Sequence, residues 1–192
     1  MQNEAMLRLF VAAPLAPGFD RKFAEVQQRL SAAATRITWV KPGNMHITVK
    51  FIGDYPASRL DFLTGLLEET LEGLEPTRLH FRGVAFFPNS RSPRVIKVDT
   101  SDESGLLAKS HARLDEALAA EGVPREDRKF SPHLTLGRIR NTADIPRLVE
   151  LARAYEDADF GSMDVSSLTL FASKLDRRGP RYTVITEVFC GG

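Results

Sequence analysis

Four histidines occur in the chain, and two of them stand in the same setting. His46-Ile47-Thr48-Val49 and His133-Leu134-Thr135-Leu136 share one pattern of imidazole, aliphatic, hydroxyl, aliphatic. Alternate side chains of a strand share a face. Each pattern therefore sets a histidine and a threonine on one side and two apolar groups on the other. Imidazoles titrate near neutral pH, so one of a pair can be neutral while the other is protonated. That combination suits the opening of a cyclic phosphodiester. The base takes a proton from attacking water, and the acid gives one to the departing ribose oxygen on the opposite side. The Thr48 and Thr135 hydroxyls can donate to the nonbridging phosphate oxygens. A nearby cation would stabilise the added negative charge.

The same residues permit plainer readings. A strand histidine beside a threonine is also an ordinary structural pair. Two histidines could begin a zinc site, but such sites usually recruit three protein ligands. No carboxylate lies within a few residues of His133, and Asp54 is the nearest to His46. What speaks for chemistry is the repetition of the whole pattern on two apolar strands. His80 and His111 lack the threonine partner, and His111 falls on an expected helix. The lone cysteine, Cys190, can form no internal disulfide and has no activating neighbours. Neither a phosphate-binding P-loop nor a dinucleotide glycine fingerprint is present. No metal and no cofactor are expected.

The elements that must carry these motifs can be read from periodicity. Strands are expected at Leu7 to Ala12, Ile37 to Val40, Met45 to Ile52, Leu79 to Phe87, Arg94 to Val98, Ser131 to Ile139, Ser166 to Lys174 and Tyr182 to Phe189. Helices are expected at Phe19 to Ala34, Ser58 to Leu74, Glu103 to Glu121 and Ile145 to Asp157. The Asp176-Arg177-Arg178-Gly179-Pro180 segment reads as a turn joining the last two strands. Strand pairs mixed with helices give an α+β class with mainly antiparallel sheet. The two motifs, and a likeness between the hairpin near Val84 to Val98 and that near Leu168 to Val188, suggest an internal duplication. The expected architecture is one bilobal domain over residues 1–192, with two pseudo-symmetric sheets, outer helices and a cleft between them.

Composition limits the partners. The formal net charge of +1 does not favour a long nucleic-acid tract, yet it allows a small basic pocket. Met1 to Leu15 lacks a basic leader and carries Glu4, so it reads as a first strand rather than a signal peptide. No apolar run approaches membrane-spanning length. A cytoplasmic monomer is the expectation.

With these residues in view, the chain resembles the two-histidine (2H) phosphoesterase superfamily. Within it, the chain looks like the RNA 2',3'-cyclic phosphodiesterases of the LigT type, also named 2'-5' RNA ligases. The likeness runs from Arg8-Leu9-Phe10-Val11-Ala12 through Trp39-Val40-Lys41-Pro42 and Asn44 to Gly53. It continues at Phe87-Pro88, Ser92-Pro93-Arg94-Val95, Phe130 to Arg138 and Gly179-Pro180-Arg181-Tyr182. The resemblance implies a bilobal fold with the motifs facing across a cleft. It also implies His46 as proton donor to the leaving oxygen and His133 as acceptor from water, which the residues alone do not assign. The implied product is a 2'-phosphate, with phosphate held by Thr48, Thr135 and Arg138. Lys50, Phe51, Arg94, Phe130 and Arg181 are candidate RNA contacts, and Arg91, Lys129, Arg140, Arg177 and Arg178 could extend that path. The chain departs from the family at Lys97, where an aromatic residue is common, and at Gly43, where an acidic one is. The expected partner is an RNA end or nucleotide bearing a 2',3'-cyclic phosphate. Ligation by the reverse step and non-catalytic binding of RNA ends are the competing readings.

Overall fold

The computed structural model describes residues 4–33, 36–140, 144–176 and 179–191. The strands are β1 (Met6–Pro14), β2 (Ile37–Trp39), β3 (His46–Pro56), β4 (Thr77–Phe87), β5 (Val95–Asp102), β6 (His133–Ile139), β7 (Asp159–Val165), β8 (Ser167–Asp176) and β9 (Gly179–Phe189). Helix α1 (Arg21–Leu30) follows β1, α2 (Leu60–Leu71) follows β3, α3 (Leu106–Ala120) follows β5, and α4 (Ile145–Arg153) follows β6. A single 3-10 turn at Pro42–Asn44 leads into β3. Arg177 and Arg178, expected in the last turn, lie outside the described residues.

The strands form one antiparallel sheet in the order β7-β4-β5-β6-β3-β1-β8-β9, with β2 added to β6. Its two halves, β7-β4-β5-β6 and β3-β1-β8-β9, meet at one register pair, Ile47 with Leu134. The two expected lobes are therefore linked through the motif strands themselves. The four helices of the described residues pack on one face. Phe23, Val26 and Leu30 of α1, Leu63, Leu67 and Leu71 of α2, Leu107, Leu114 and Leu118 of α3, and Leu148 of α4 join a single core. That core includes Leu9, Val11 and Ala13 of β1 and Ile47 and Val49 of β3. The opposite face carries no helix from the described residues. Among them, no helix is long and apolar enough to cross a membrane.

Two features differ from the sequence reading. Strand β7 is not among the expected elements, because Gly161 and two aspartates interrupt its apolar pattern, and Phe160 is an extra residue in its register with β4. The likeness between the two hairpins also has no spatial counterpart. In one half β5 lies beside motif strand β6 with β4 outside it. In the other, the place beside β3 is taken by β1, and the β8–β9 hairpin lies further out.

An extra residue three places after each motif histidine decides which side chains reach the open face, and β3 carries a second one further on, at Ile52. Along β3, Ala12 pairs with Thr48 but Val11 pairs with Lys50, so Val49 is extra. Along β6, Lys97 pairs with Thr135 but Ile96 pairs with Gly137, so Leu136 is extra. A bulge places two successive residues opposite one and reverses the alternation beyond it. Val49 and Lys50 both face the core, as do Leu136 and Gly137. Phe51 and Arg138 then return to the open side. Each bulged carbonyl receives a buried side-chain donor from a helix. His111 Nδ1 of α3 donates to Val49 O at 2.8 Å, and Gln27 Nε2 of α1 donates to Leu136 O at 2.9 Å.

Lys50 is thus no RNA contact. It is 1% exposed, and its Nζ donates to Asp115 Oδ1 at 2.6 Å and to Pro124 O at 3.2 Å. Burial alone would raise the Asp115 carboxyl. Hydrogen bonds from Lys50 and from the Glu126 N–H outweigh it and hold the group below its ordinary value. The corresponding position in the other half is Gly137, where a Cβ would lie 2.8 Å from Ile37 Cγ2 and Trp39 Cε3.

Two stability effects follow from this packing. Lys50→Ala is expected to lose about 3–5 kcal/mol in urea unfolding, because it leaves the Asp115 charge without its partner. A loss below about 1 kcal/mol would show that the pair carries no such weight. Gly137→Ala is expected to cost about 1–3 kcal/mol by overpacking against β2, read as a lower Tm. An unchanged Tm would mean that β2 shifts freely.

Candidate active site

The seam between the halves sets the geometry of the site. Antiparallel pairing of Ile47 with Leu134, carried one residue to either side, puts His46 opposite Thr135 and Thr48 opposite His133. Ile47 and Leu134 are fully buried, so these four flanking residues face the open side. Each imidazole therefore neighbours the other motif's hydroxyl. The two histidines are diagonal neighbours, with backbones on the order of 7–8 Å apart in such ladders.

Both rings are held in one way. His46 Nδ1 lies 2.8 Å from the Asn44 carbonyl oxygen, and His133 Nδ1 lies 2.8 Å from that of Ser131. A carbonyl only accepts, so Nδ1 carries the proton in both rings. Nε2 is the atom left to exchange protons in the cleft. The supports are local. Lys41-Pro42 starts the 3-10 turn that presents the Asn44 carbonyl, and Asn44 Nδ2 donates to Pro180 O at 2.9 Å. Ser131-Pro132 enters β6 without such a turn.

The surroundings of the two rings differ. Phe10, Phe171 and Tyr182 gather around His46, with ring centroids 4.9 Å from Phe10 and 5.3 Å from Tyr182. Phe171 stacks on Phe10 at 5.2 Å. Burial pushes the His46 imidazole below its ordinary value, the hydrogen bond to Asn44 opposes that, and the Arg138 charge lowers it further. Tyr182 is raised by burial, which the Arg138 charge partly offsets. Beside His133 the register places Asp99, and beside Thr135 it places Lys97. Lys97 Nζ donates to Asp99 Oδ1. One imidazole thus sits among aromatic rings and the other among charges.

His46, Thr48, His133, Thr135 and Arg138 come together on the open face, as do Lys97 and Asp99. Phe51 shares that face and is 44% exposed. Arg94 is exposed at the end of the β4–β5 loop, its N–H paired with Phe87 O. Arg181 is exposed but adjacent to Tyr182 on β9, so strand alternation turns it to the other side. Phe130 does not present a free ring. It stacks on buried His111 with centroids 4.4 Å apart and packs against the core. The reason is its place before β6, where the chain rises from behind the sheet. Sequence reasoning misses the aromatic surround of His46 and the carboxylate beside His133. The alternation of Arg8, Phe10 and Ala12 opposite Leu9 and Val11 is the available signal for Phe10.

Comparison with known proteins identifies the family. The family model described as "2'-5' RNA ligase superfamily" matches residues 19–177. A Methanothermobacter thermautotrophicus protein named RNA 2',3'-cyclic phosphodiesterase is 34% identical over 185 residues, covering 95% of this chain and 98% of that one. An Aquifex aeolicus protein of the same name is 35% identical over 158 residues, covering 80% and 82%. Among solved structures, a Thermus thermophilus protein superposes with a TM-score of 0.78 at 29% identity, covering 95% of this chain and 97% of that one. E. coli LigT complexed with 3'-AMP shares the fold, with a TM-score of 0.78 at 23% identity over 98% of this chain and all of that one. On the family match and the near full-length identity to its relatives, the chain belongs to the 2'-5' RNA ligase superfamily.

Proposed function

We propose that the protein hydrolyses a 2',3'-cyclic phosphate at an RNA end to a 2'-phosphomonoester, without a metal, using His46 and His133 as the acid–base pair. One observation carries this reading. Two imidazoles with the same protonated nitrogen stand as diagonal neighbours on one face, each beside the other motif's hydroxyl. The names borne by the relatives supply the substrate class.

In the proposed step His133 Nε2 takes a proton from water as its oxygen bonds to phosphorus. The bond from phosphorus to O3' breaks on the opposite side, and His46 Nε2 gives O3' its proton. Phosphate stays on O2', and each imidazole ends in the other's starting protonation state. Thr48 and Thr135 donate to the nonbridging oxygens, and the Arg138 charge offsets their growing negative charge. His46 must carry a proton to serve as donor, although burial and Arg138 favour its neutral form in the free protein. An anionic phosphate entering the cleft opposes both effects and favours the imidazolium. With an RNA 5'-hydroxyl in place of water the same step joins two ends: its oxygen bonds to phosphorus as His133 takes its proton, O3' leaves with a proton from His46, and a 2'-5' diester results.

The decisive experiment is turnover of an oligonucleotide ending in a 2',3'-cyclic phosphate, with chelator present. His46→Ala and His133→Ala are each expected to lower kcat by about 100-fold or more, with a 2'-phosphate as the wild-type product. Wild-type turnover that survives either substitution would remove that residue from the chemistry. Accumulation of 2'-5' joined products would favour ligation, and tight binding without turnover would favour a binding module.

The pH profile tests whether His46 titrates in the reaction. Activity requires His46 protonated and His133 neutral, so kcat/KM falls at both ends of the pH range, and the limb set by His46 should lie below the ordinary imidazole value of 6.5. Removing the Arg138 charge favours the imidazolium, so Arg138→Met should move that limb to higher pH while lowering the rate. If both limbs stay in place in Arg138→Met, His46 does not titrate in the reaction.

A further inference from the structure

Two exposed phenylalanines on the open face each lie under a guanidinium. Phe51, 44% exposed, has Arg8 Cζ 4.8 Å from its ring centroid. Phe87, 42% exposed, has Arg128 Cζ at 5.5 Å. The registers fix their side of the sheet. Phe51 pairs with Phe10, whose ring packs on His46. Phe87 pairs with Val95, and Val95 pairs with Arg138, so the three form one row on the open face. Phe86, next along β4, packs against the core instead. Phe51 and Arg138 also hold equivalent places, each returned to the open side by the bulge in its motif strand.

We propose that these pairs are two stacking platforms for single-stranded RNA, one in each half of the sheet, binding nucleotides beyond the one that bears the cyclic phosphate. The proposal rests on the hydrolase reading above and extends it from the reacting group to the strand attached to it. A flat apolar ring stacks on any base, which suits binding without sequence preference. A guanidinium over the ring adds a second stacking plane and a donor for backbone phosphate. Five strand residues separate His46 from Phe51, a distance on the order of 16 Å. That separation sets Phe51 apart from the phosphate seat. A third pair, Phe62 with Arg59 Cζ at 4.8 Å, has the same composition but lies on α2, on the helix-covered side. It supplies an internal control, since only position relative to the site distinguishes it.

The test compares kcat/KM for a cyclic-phosphate-ended oligoribonucleotide with kcat/KM for a 2',3'-cyclic mononucleotide. The proteins are wild type, Phe51→Ala, Phe87→Ala, Phe87→Tyr and Phe62→Ala. Wild type should prefer the oligonucleotide. Each platform substitution to alanine should lower the oligonucleotide-to-mononucleotide ratio by about tenfold. Phe87→Tyr should keep the ratio, and Phe62→Ala should leave it as in wild type. A ratio unchanged in both platform variants, or no wild-type preference for the oligonucleotide, would overturn the proposal while leaving the hydrolase reading intact. If wild type turns over neither substrate, the hydrolase reading fails, and binding of a labelled single-stranded oligoribonucleotide decides the platforms. Weaker binding by both alanine variants would sustain them, and equal Kd values would end them.

Discussion

Ile47 and Leu134 meet as the register pair that joins the two halves of the sheet, and the site is arranged around that contact. Both side chains are fully buried beneath the sheet. Their burial fixes register, because a slip by one residue would send every apolar group of a motif strand to the open face. With register fixed, each histidine must stand beside the opposite threonine. The hydrophobic core thus does the positioning that a cluster of polar bonds would otherwise have to do. The ring orientations are then set by two carbonyls that immediately precede the motif strands.

The bulges at Val49 and Leu136 add a second level of order. Each strand has to serve two faces with different needs, and an extra residue lets it present an open-face group at an odd offset from its histidine. The cost is a distorted ladder, which His111 and Gln27 help to hold from behind. Both donors are buried, at 8% exposure, and both come from helices of the shared core. The same distortion explains why one half tolerates a lysine facing inward and the other a glycine. Space behind β3 is closed by α3 and the segment around Pro124, which offer Lys50 its oxygen partners. Space behind β6 is filled by Ile37 and Trp39, which leave room for no side chain at Gly137.

Much of this was legible in the sequence. The two histidine–threonine patterns name the central residues, and their alternating aliphatics name the buried seam. The leucine stripes of α2 and α3 and the strand order of types also follow from periodicity. A bulge leaves no such trace, since neither Val49 nor Leu136 differs from an ordinary strand residue. Hence strict alternation puts Lys50 on the histidine face, where the structure puts Phe51 instead. Phe130 is ambiguous for another reason. An aromatic beside a motif can serve core or ligand, and only the approach of His111 from a distant helix resolves it. The partners of His46 come from β1, β8 and β9, which no local pattern connects to residue 46.

The contrast between the aromatic group around His46 and the Lys97–Asp99 pair near His133 has a geometric consequence. A frame that repeats its histidine, threonine and carbonyl lock about a seam has no intrinsic left or right. A cyclic phosphate could enter it in two poses related by a half-turn, and only one would point the ribose oxygen that leaves toward its donor. Apolar rings on one flank and charges on the other make those poses unequal in energy. On the proposed hydrolase reading, a flat base would be drawn to the ring-lined flank and water to the charged one. On that reading the handedness of the reaction would be written in the unlike strands that flank the motifs, and its chemistry in the like motif strands.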